Sequence, residues 1–471
     1  MTKPIPQSIT CEPPPHALRV LEVLEGAGFE AWVVGGWVRD ALMGEPSHDV
    51  DVTTSALWQQ SAAALRAAGL VVHETGAAHG TVTAVVGGSP VEVTTYRVEG
   101  AYSDHRHPDE VRFVGSVLDD LSRRDFTINA IAYHPARGLL DPFGGRRDLE
   151  AGLIRAVGDP AQRFEEDALR VLRAVRFACR MGFVMEGATH RALRDAASGL
   201  AGIARERIGQ ELDGIVTSGR VGWALLHETD VMCAAIPELS AMRGFDQRSP
   251  YHAFDVLEHT AHVCNACEAF TAGVAPRELR WAALLHDVGK PATFTIDEAG
   301  RGHFYGHPAE GALIAERVMR RLGLPTALVR AACALVRYHD HVMTSTQRSV
   351  RRTLVLLDRA CPGRAYRLAH QLLDLKRADA VSKVWKVAGY AVELDEVDRA
   401  LRRERGRGRI LRAGDLAVDG ADIMRQFGMT PGPAVGEVLS ALLDAVVNAE
   451  VENTREALLA MAPLAAGTQA D

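Results

Sequence analysis

Apolar residues recur in two different rhythms along this chain. Up to about residue 150, "EAWVVGG" (30–36), "HDVDVTT" (48–54), "GTVTAVVGG" (80–88) and "PVEVTTYRV" (90–98) are short, rich in Val and Thr, and largely alternate with period two. That pattern predicts strands. The Gly-Gly-Ser-Pro between the last two predicts a hairpin turn. Helical spacing at 16–29, 38–44 and 55–68 interleaves with these segments, and another strand is expected near 127–134. Beyond 151 the period-two segments nearly vanish. "RFEEDALRVLRAVRFACRMGF" (163–183) reads as one amphipathic helix, with further helices near 189–200, 205–217 and 222–229. Residues 250–345 look all-helical and rich in histidine. A basic helical stretch runs to about 412, and 413–471 reads as a loop–helix–loop followed by one or two helices. The expected architecture is α+β: a head with a small mixed or antiparallel sheet at 17–150, then only helices.

Bulk properties bound this picture. The 471 residues suggest about three domains. No apolar run is long enough to span a membrane, and the first 16 residues read as a flexible arm without a signal-peptide segment. Seven scattered cysteines imply reduced thiols and a cytoplasmic setting. Cys264 and Cys267 have C-x-x-C spacing, but they lie in a helical pattern with no second pair. The net charge is −7 and unevenly spread. Residues 344–412 hold 17 Lys and Arg against 8 Asp and Glu, a local +9, whereas 413–471 hold 2 against 9, a local −7. The basic stretch reads either as solvated helix faces or as a footprint for a polyanion.

The head carries candidate chemistry in "GGWVRDALMGEPSHDVD" (35–51). Residues i and i+2 of a strand share a face, so Asp49 and Asp51 stand side by side. Unpaired, they repel; a hard divalent cation relieves that repulsion and suits substrate phosphates. The turn at Gly35 and Gly36 lets backbone N–H groups approach a triphosphate closely. Arg39 either adds charge to that cradle or pairs with Asp40. Glu92 is a candidate third carboxylate, or else an outward-facing strand residue.

These residues resemble the head motif of the polymerase-beta-like nucleotidyltransferases, specifically the class II tRNA nucleotidyltransferase and bacterial poly(A) polymerase group. "RRDFTINAIAY" (123–133) is similar to that family's ribose-recognition motif, which implies Arg124 and Asp125 near the nucleotide sugar and Asn129 among the nucleotide-binding residues. "DPFGGRRDL" (141–149) resembles its hinge motif and "RERIGQEL" (205–212) its neck-helix motif. "EEDALRVLRAVRFACRMGF" resembles its nucleotide-template helix, which implies nucleotide-binding roles for Asp167, Arg170, Arg173 and Arg176. The resemblance makes 17–150 a nucleotidyltransferase head and 151–240 a neck, with magnesium on Asp49 and Asp51.

The template reading also has a physical basis. Asp167 and Arg170 are spaced i, i+3, so on one helix they share a face. Asp offers acceptors and Arg donors. Cytosine presents an N4 donor beside N3, and adenine an N6 donor beside N1; uracil and guanine reverse that order. One Asp/Arg pair therefore complements both C and A, and a mismatched base leaves polar groups unpaired. The implied activity adds C, C and A to a tRNA 3′ end from CTP and ATP. The loop at 97–113 resembles a flexible loop that favours full CCA addition or A addition.

Residues 250–345 contain "LEHTAH", "LLHDVGK", "GHFYGHPAEGA" and "VRYHDH". The order His259, His286–Asp287, Asp340 resembles the HD phosphohydrolase superfamily. That implies a divalent transition metal on these four residues and a phosphatase or 2′,3′-cyclic phosphodiesterase activity. His307 and His339 are candidates for a second metal or a phosphate. Gly289 is expected to stop the helix that carries His286. The basic stretch at 346–412, with "LDLKRADA" (373–380), is expected to form a body that grips tRNA, and 413–471 a helical tail.

Three rivals share parts of this pattern. An A-adding enzyme or poly(A) polymerase has the same head. A signalling-nucleotide synthetase/hydrolase joins the same two domain types, but with the HD part first and no template helix. A non-catalytic RNA-binding relic would not need the intact Asp-x-Asp.

Overall fold

The computed structural model describes residues 12–47, 49–99, 111–249, 253–383, 388–406 and 412–466. Packing divides the chain into two units, Met1–Ser218 with Glu228–Ala235, and Gly219–His227 with Ile236–Asp471. Among the described residues no helix is long and apolar enough to cross a membrane. The eleven-residue centre of the expected flexible loop, 100–110, lies outside the described residues, as does His48.

The first unit begins with α1 (Pro15–Gly26), β1 (Ala31–Val34), α2 (Gly36–Met43), β2 (Asp51–Thr54), α3 (Trp58–Ala67), β3 (Val71–Gly76), β4 (Thr81–Val86) and β5 (Ser89–Thr95). It continues with β6 (Arg97–Glu99), β7 (Val111–Phe113), α4 (Val117–Ser122), β8 (Ala132–His134), β9 (Gly138–Leu140), α5 (Gly145–Ala151), β10 (Leu153–Ile154), α6 (Pro160–Glu166), α7 (Leu169–Met181), β11 (Val184–Met185), α8 (Gly187–Ala196) and α9 (Arg205–Thr217). Helix α10 (Val221–His227) belongs to the second unit, and α11 (Thr229–Ala235) returns to the first.

Seven strands form one mixed sheet in the order β3-β4-β5-β2-β1-β8-β9, with β2 and β5 parallel and the other neighbours antiparallel. Strand β1 is buried at all four positions, as expected of a central strand covered on both faces. Beside it, Val50 and Val52 are buried while Asp49 and Asp51 are exposed, so the alternation holds although β2 itself begins only at Asp51. Strand β3 carries no alternation to read, because it is an edge strand with mostly exposed side chains. The strand expected from 127 starts at Ala132; Thr127–Asn129 form a short 3-10 turn instead.

The single helix expected at 163–183 is broken. Asp167 is extended (φ −143°, ψ 103°), and its Oδ1 accepts the Leu169 N–H at 3.0 Å. A short acidic side chain offers the backbone an alternative to the helical bond, so α6 stops and α7 starts with Asp167 between them.

The second unit adds α12 (Val256–Phe270), α13 (Arg277–Leu285), α14 (Lys290–Thr293), β12 (Thr295–Ile296), β13 (Gly302–His303), α15 (His307–Arg321), α16 (Thr326–Tyr338) and α17 (Gln347–Ala360). Then follow α18 (Ala365–Val381), α19 (Ala388–Arg405), α20 (Gly420–Phe427), α21 (Pro433–Val447) and α22 (Arg455–Ala466). Its core centres on α12, α13, α16 and α18, with Trp281 fully buried. The expected boundary near 345 is crossed by this packing, because "LDLKRADA" lies on α18, against α12.

Gly289 acts differently from the expectation. Its φ of −83° is ordinary right-handed backbone, so it is not a left-handed helix stop. A Cβ there would lie 2.4 Å from the His307 carbonyl oxygen and 2.5 Å from the Gly311 nitrogen. The glycine allows two backbones to touch. The basic stretch is also partly neutralised within its own unit. Arg351 pairs with Glu404 (2.5 Å), Arg377 with Asp395 (2.9 Å) and Lys383 with Asp379 (2.5 Å).

Candidate active site and a buried histidine cluster

The first unit contains a cleft of about 860 Å³. Every head and neck residue expected at the nucleotide lines it, with Glu92 the one exception. Strand β2 sets the carboxylates. Asp51 opposes Val34 on β1 and Glu92 on β5, so the Gly35–Gly36 turn leaves β1 directly beside it. Gly35 has φ 74° and ψ −129°, which an L side chain rarely adopts. A Cβ there would also lie 3.1 Å from Arg124 Nη1 and 3.8 Å from Asp51 Oδ2.

Water reaches the Asp51 carboxylate, yet the cleft walls crowd it. Its pKa is raised by that loss of hydration first, then by Glu92 and Asp49, with Arg124 opposing. Three acidic groups thus press on one edge, and Glu92 contributes as Asp51's register neighbour without lining the cleft.

Around this edge the other groups are locked in place. Buried Arg39 donates to Asp40 Oδ1 (2.8 Å) and Asn129 Oδ1 (2.7 Å), so it pairs with Asp40 and lines the cleft at once. Asp125 accepts from Asn129 (3.0 Å) and from Arg173 (2.8 Å). Burial would raise its pKa, but Arg173 and these hydrogen bonds prevail and hold it at about 2. Glu211 on α9 takes Arg176 at 2.5 Å. Asp167 and Arg170 do not pair with each other. Asp167 Oδ2 meets Arg207 of α9 at 3.0 Å, and Arg170 meets Glu166 at 2.7 Å, so each is oriented by its own partner.

The second unit holds a different site. Two groups of side chains have ligand atoms within 4.8 Å of one another: His259, His286 and Asp379, and Asp287, His307 and His339. Asp287 joins them, with Oδ2 3.1 Å from His286 Nε2 and Oδ1 3.5 Å from His307 Nε2. His286, His307 and His339 each turn Nδ1 to a carbonyl three residues earlier, at 2.9, 2.8 and 2.7 Å. A carbonyl only accepts, so Nδ1 carries a proton in each ring and Nε2 turns to the cluster. Burial opposes charge on His286, but Asp287 prevails and raises its pKa, whereas burial lowers that of His307, whose Nε2 presents a lone pair. The His307 and His339 Nε2 atoms face each other at 3.2 Å. Burial pushes His339 down to about 3, which keeps it unprotonated at neutral pH. Opposed lone pairs at that distance fit a shared cation. Imidazole with carboxylate suits a divalent transition metal.

A profile described as "Poly A polymerase head domain" matches residues 31–155, and one described as "tRNA nucleotidyltransferase domain 2" matches 314–462. A CCA-adding enzyme of Geobacillus thermodenitrificans is 34% identical over 449 residues, covering 94% of this chain and 95% of the relative. One from Lactiplantibacillus plantarum is 32% identical, covering 96% of each chain. The chain belongs to the CCA-adding enzyme family. The crystal structure of a Bacillus stearothermophilus CCA-adding enzyme in complex with CTP superposes with a TM-score of 0.70 at 30% identity, covering 96% of this chain and 98% of that one.

As a CCA-adding-family nucleotidyltransferase, the chain shows which expectations converge. Asp49, Asp51, Gly35, Gly36, Arg39, Arg124, Asp125, Asn129, Asp167, Arg170, Arg173 and Arg176 meet in one cleft. His259, His286, Asp287, His307 and His339 meet in the cluster, but Asp340 does not. Asp340 is exposed past the end of α16, and among the described residues Asp379 of α18 occupies the carboxylate position beside His259, at 3.1 Å. Sequence reading also passed over His79, Arg97, Arg123, Arg180 and Arg207 as cleft residues. Arg123, Arg180 and Arg207 lay within the motifs "RRDFTINAIAY", "EEDALRVLRAVRFACRMGF" and "RERIGQEL", and Arg97 opened the 97–113 loop, so of these only His79 left no signal. Cys264 and Cys267 are buried in α12 as free thiols outside both metal groups.

Proposed function

We propose that the first unit adds C, C and A to the 3′ end of tRNA, taking CTP and ATP without a nucleic-acid template. The observation that carries this is the meeting of the Asp49/Asp51 edge with Asp167 and Arg170 in one cleft. The primer 3′ oxygen attacks the α-phosphorus in line, and pyrophosphate leaves. Asp49 and Asp51 fit a hard cation, being two accessible carboxylates crowded by a third. Magnesium bound there would lower the hydroxyl pKa and hold the pyrophosphate. Gly35 opens space for the phosphates beside Arg124. Asp125, fixed by Arg173 and Asn129, faces the sugar. Asp167 accepts from N4 of C or N6 of A while Arg170 donates to N3 or N1. Their separate ion pairs, to Arg207 and Glu166, hold that edge in shape before a base arrives. The test supplies tRNA lacking CCA with CTP and ATP and sequences the product. Addition of A alone, only to tRNA already ending in CC, would establish the A-adding alternative instead.

We infer also that the second unit hydrolyses phosphate esters with a divalent transition metal. His259, His286, Asp287 and Asp379 would hold it, with His307 and His339 positioned for a second ion through Asp287. Measuring bound metal together with 2′,3′-cyclic phosphate hydrolysis tests this reading. A protein without metal or activity across manganese, cobalt, nickel and iron would refute it.

A further inference from the structure

The buried cluster offers phosphate chemistry, and the segment "HFYGH" (303–307) bears on what carries the phosphate. Its residues divide between the inside and the outside. Phe304 packs inward against Phe294 (ring centroids 5.4 Å apart), with Lys290 Nζ 5.3 Å from its own centroid. That same Lys290 Nζ is 2.7 Å from Asp287 Oδ2. His307 follows the left-handed Gly306 and brings its Nε2 to the cluster. His303 and Tyr305 instead stack on each other, with centroids 5.3 Å apart and planes within 5°. Tyr305 is 78% exposed.

This stack is braced from behind. His303 Nε2 is 2.9 Å from Asp297 Oδ2. The other Asp297 oxygen accepts from the Ala299 N–H (3.0 Å) and the Arg301 N–H (2.9 Å). The β12–β13 turn is therefore organised around the residue that holds the His303 ring, and His303 backs one face of Tyr305 while water meets the rest. Flat aromatic faces of this kind stack nucleobases regardless of sequence. Tyr305 and His307 are two residues apart, so their Cα atoms lie within about 7 Å. That separation suits one nucleotide reaching from its phosphate to its base.

We propose that Tyr305, backed by His303, is a platform for a nucleobase whose phosphate sits at the histidine cluster. The ligand class is a nucleoside phosphate or an RNA end, not a base-free ester. This rests on the phosphohydrolase reading, and the test separates the two. Full-length wild type, Tyr305→Ala and Tyr305→Phe are compared with added manganese. Binding of AMP and of ribose 5-phosphate, which carries a C1 hydroxyl where AMP carries its base, is measured by equilibrium dialysis, and hydrolysis of adenosine 2′,3′-cyclic phosphate is followed separately. Tyr305→Ala should weaken AMP binding and raise KM for the cyclic nucleotide by roughly tenfold or more, leaving kcat and ribose 5-phosphate binding unchanged. Tyr305→Phe should behave as wild type. Equal wild-type affinity for the two ligands, no binding of either, or an equal loss of both in Tyr305→Ala would overturn the platform. Tyr305-dependent AMP binding without hydrolysis of any ester would leave the platform standing and remove the hydrolase reading.

Discussion

The two candidate metal sites of this chain are built in opposite ways. The cleft of the first unit is open, with accessible carboxylates ringed by arginines. The cluster of the second unit is closed, with His259, His286 and Asp287 each at most 1% exposed. In the cleft, like charges crowd together, an arrangement that a hard cation arriving with its substrate would relieve. In the cluster, imidazoles are preset by carbonyl hydrogen bonds, so the protein itself has oriented the ligands. The open site suits a reaction in which a triphosphate arrives with its metal. The closed one suits a metal that stays.

The strongest way to break this comparison is to delete one carboxylate from the open edge. Asp51→Ala should reduce CMP and AMP incorporation on the order of a thousandfold or more, while transition metal bound at the cluster is unchanged. Loss of that metal in the same variant would show that the two sites are not independent.

Next in size is a contrast between two aspartates of the second unit. Asp379→Ala should strip the metal and lower ester hydrolysis by more than about a hundredfold, whereas Asp340→Ala should leave both near wild type. The reverse outcome, read by metal analysis, would restore Asp340 as the ligand.

A smaller effect sharpens the role of the cleft wall. Asp167→Ala should let UTP and GTP compete better against CTP and ATP, by roughly ten- to a hundredfold in relative kcat/KM. An unchanged base preference at full activity would end the template reading.

The smallest effects are stability shifts of opposite sign within one cleft. The Asp125 pKa lies below its unfolded value, so its contribution is present above the ordinary aspartate range and is lost as pH falls towards 2. Asp125→Asn should cost about 2 kcal/mol at neutral pH. The Asp51 pKa is raised, so its ionised form opposes folding above that raised value, and the penalty vanishes below the unfolded value. Asp51→Asn should therefore raise Tm in chelator at neutral pH, with the gain fading in acid. Thermal melts across pH decide both.

Much of the open site was legible because its chemistry is local in the chain. Alternation put Asp49 and Asp51 on one face, and the glycine pair that precedes Asp49 by thirteen residues allows a close backbone approach. The resemblance then supplied Arg124, Asp125 and the template residues in order. The break at Asp167 was not legible, because helical periodicity continues through it. Only the side-chain bond to the Leu169 N–H reveals why the helix stops there.

The sequence by itself determined the two rhythms, the carboxylate edge and the histidine stations. Tertiary packing decided which distant groups complete each site. Glu92 stands beside Asp51 because β5 pairs in parallel with β2, and no local pattern sets that register. Arg207 reaches Asp167 because α9 packs on α7. Asp379 replaces Asp340 because α18 lies along α12 and brings a carboxylate from 120 residues away to His259. A one-dimensional motif records which residue types a helix carries, and it leaves open which face meets which neighbour. That choice is made by burial of apolar surface over the whole unit, a non-directional force that no short window of sequence contains.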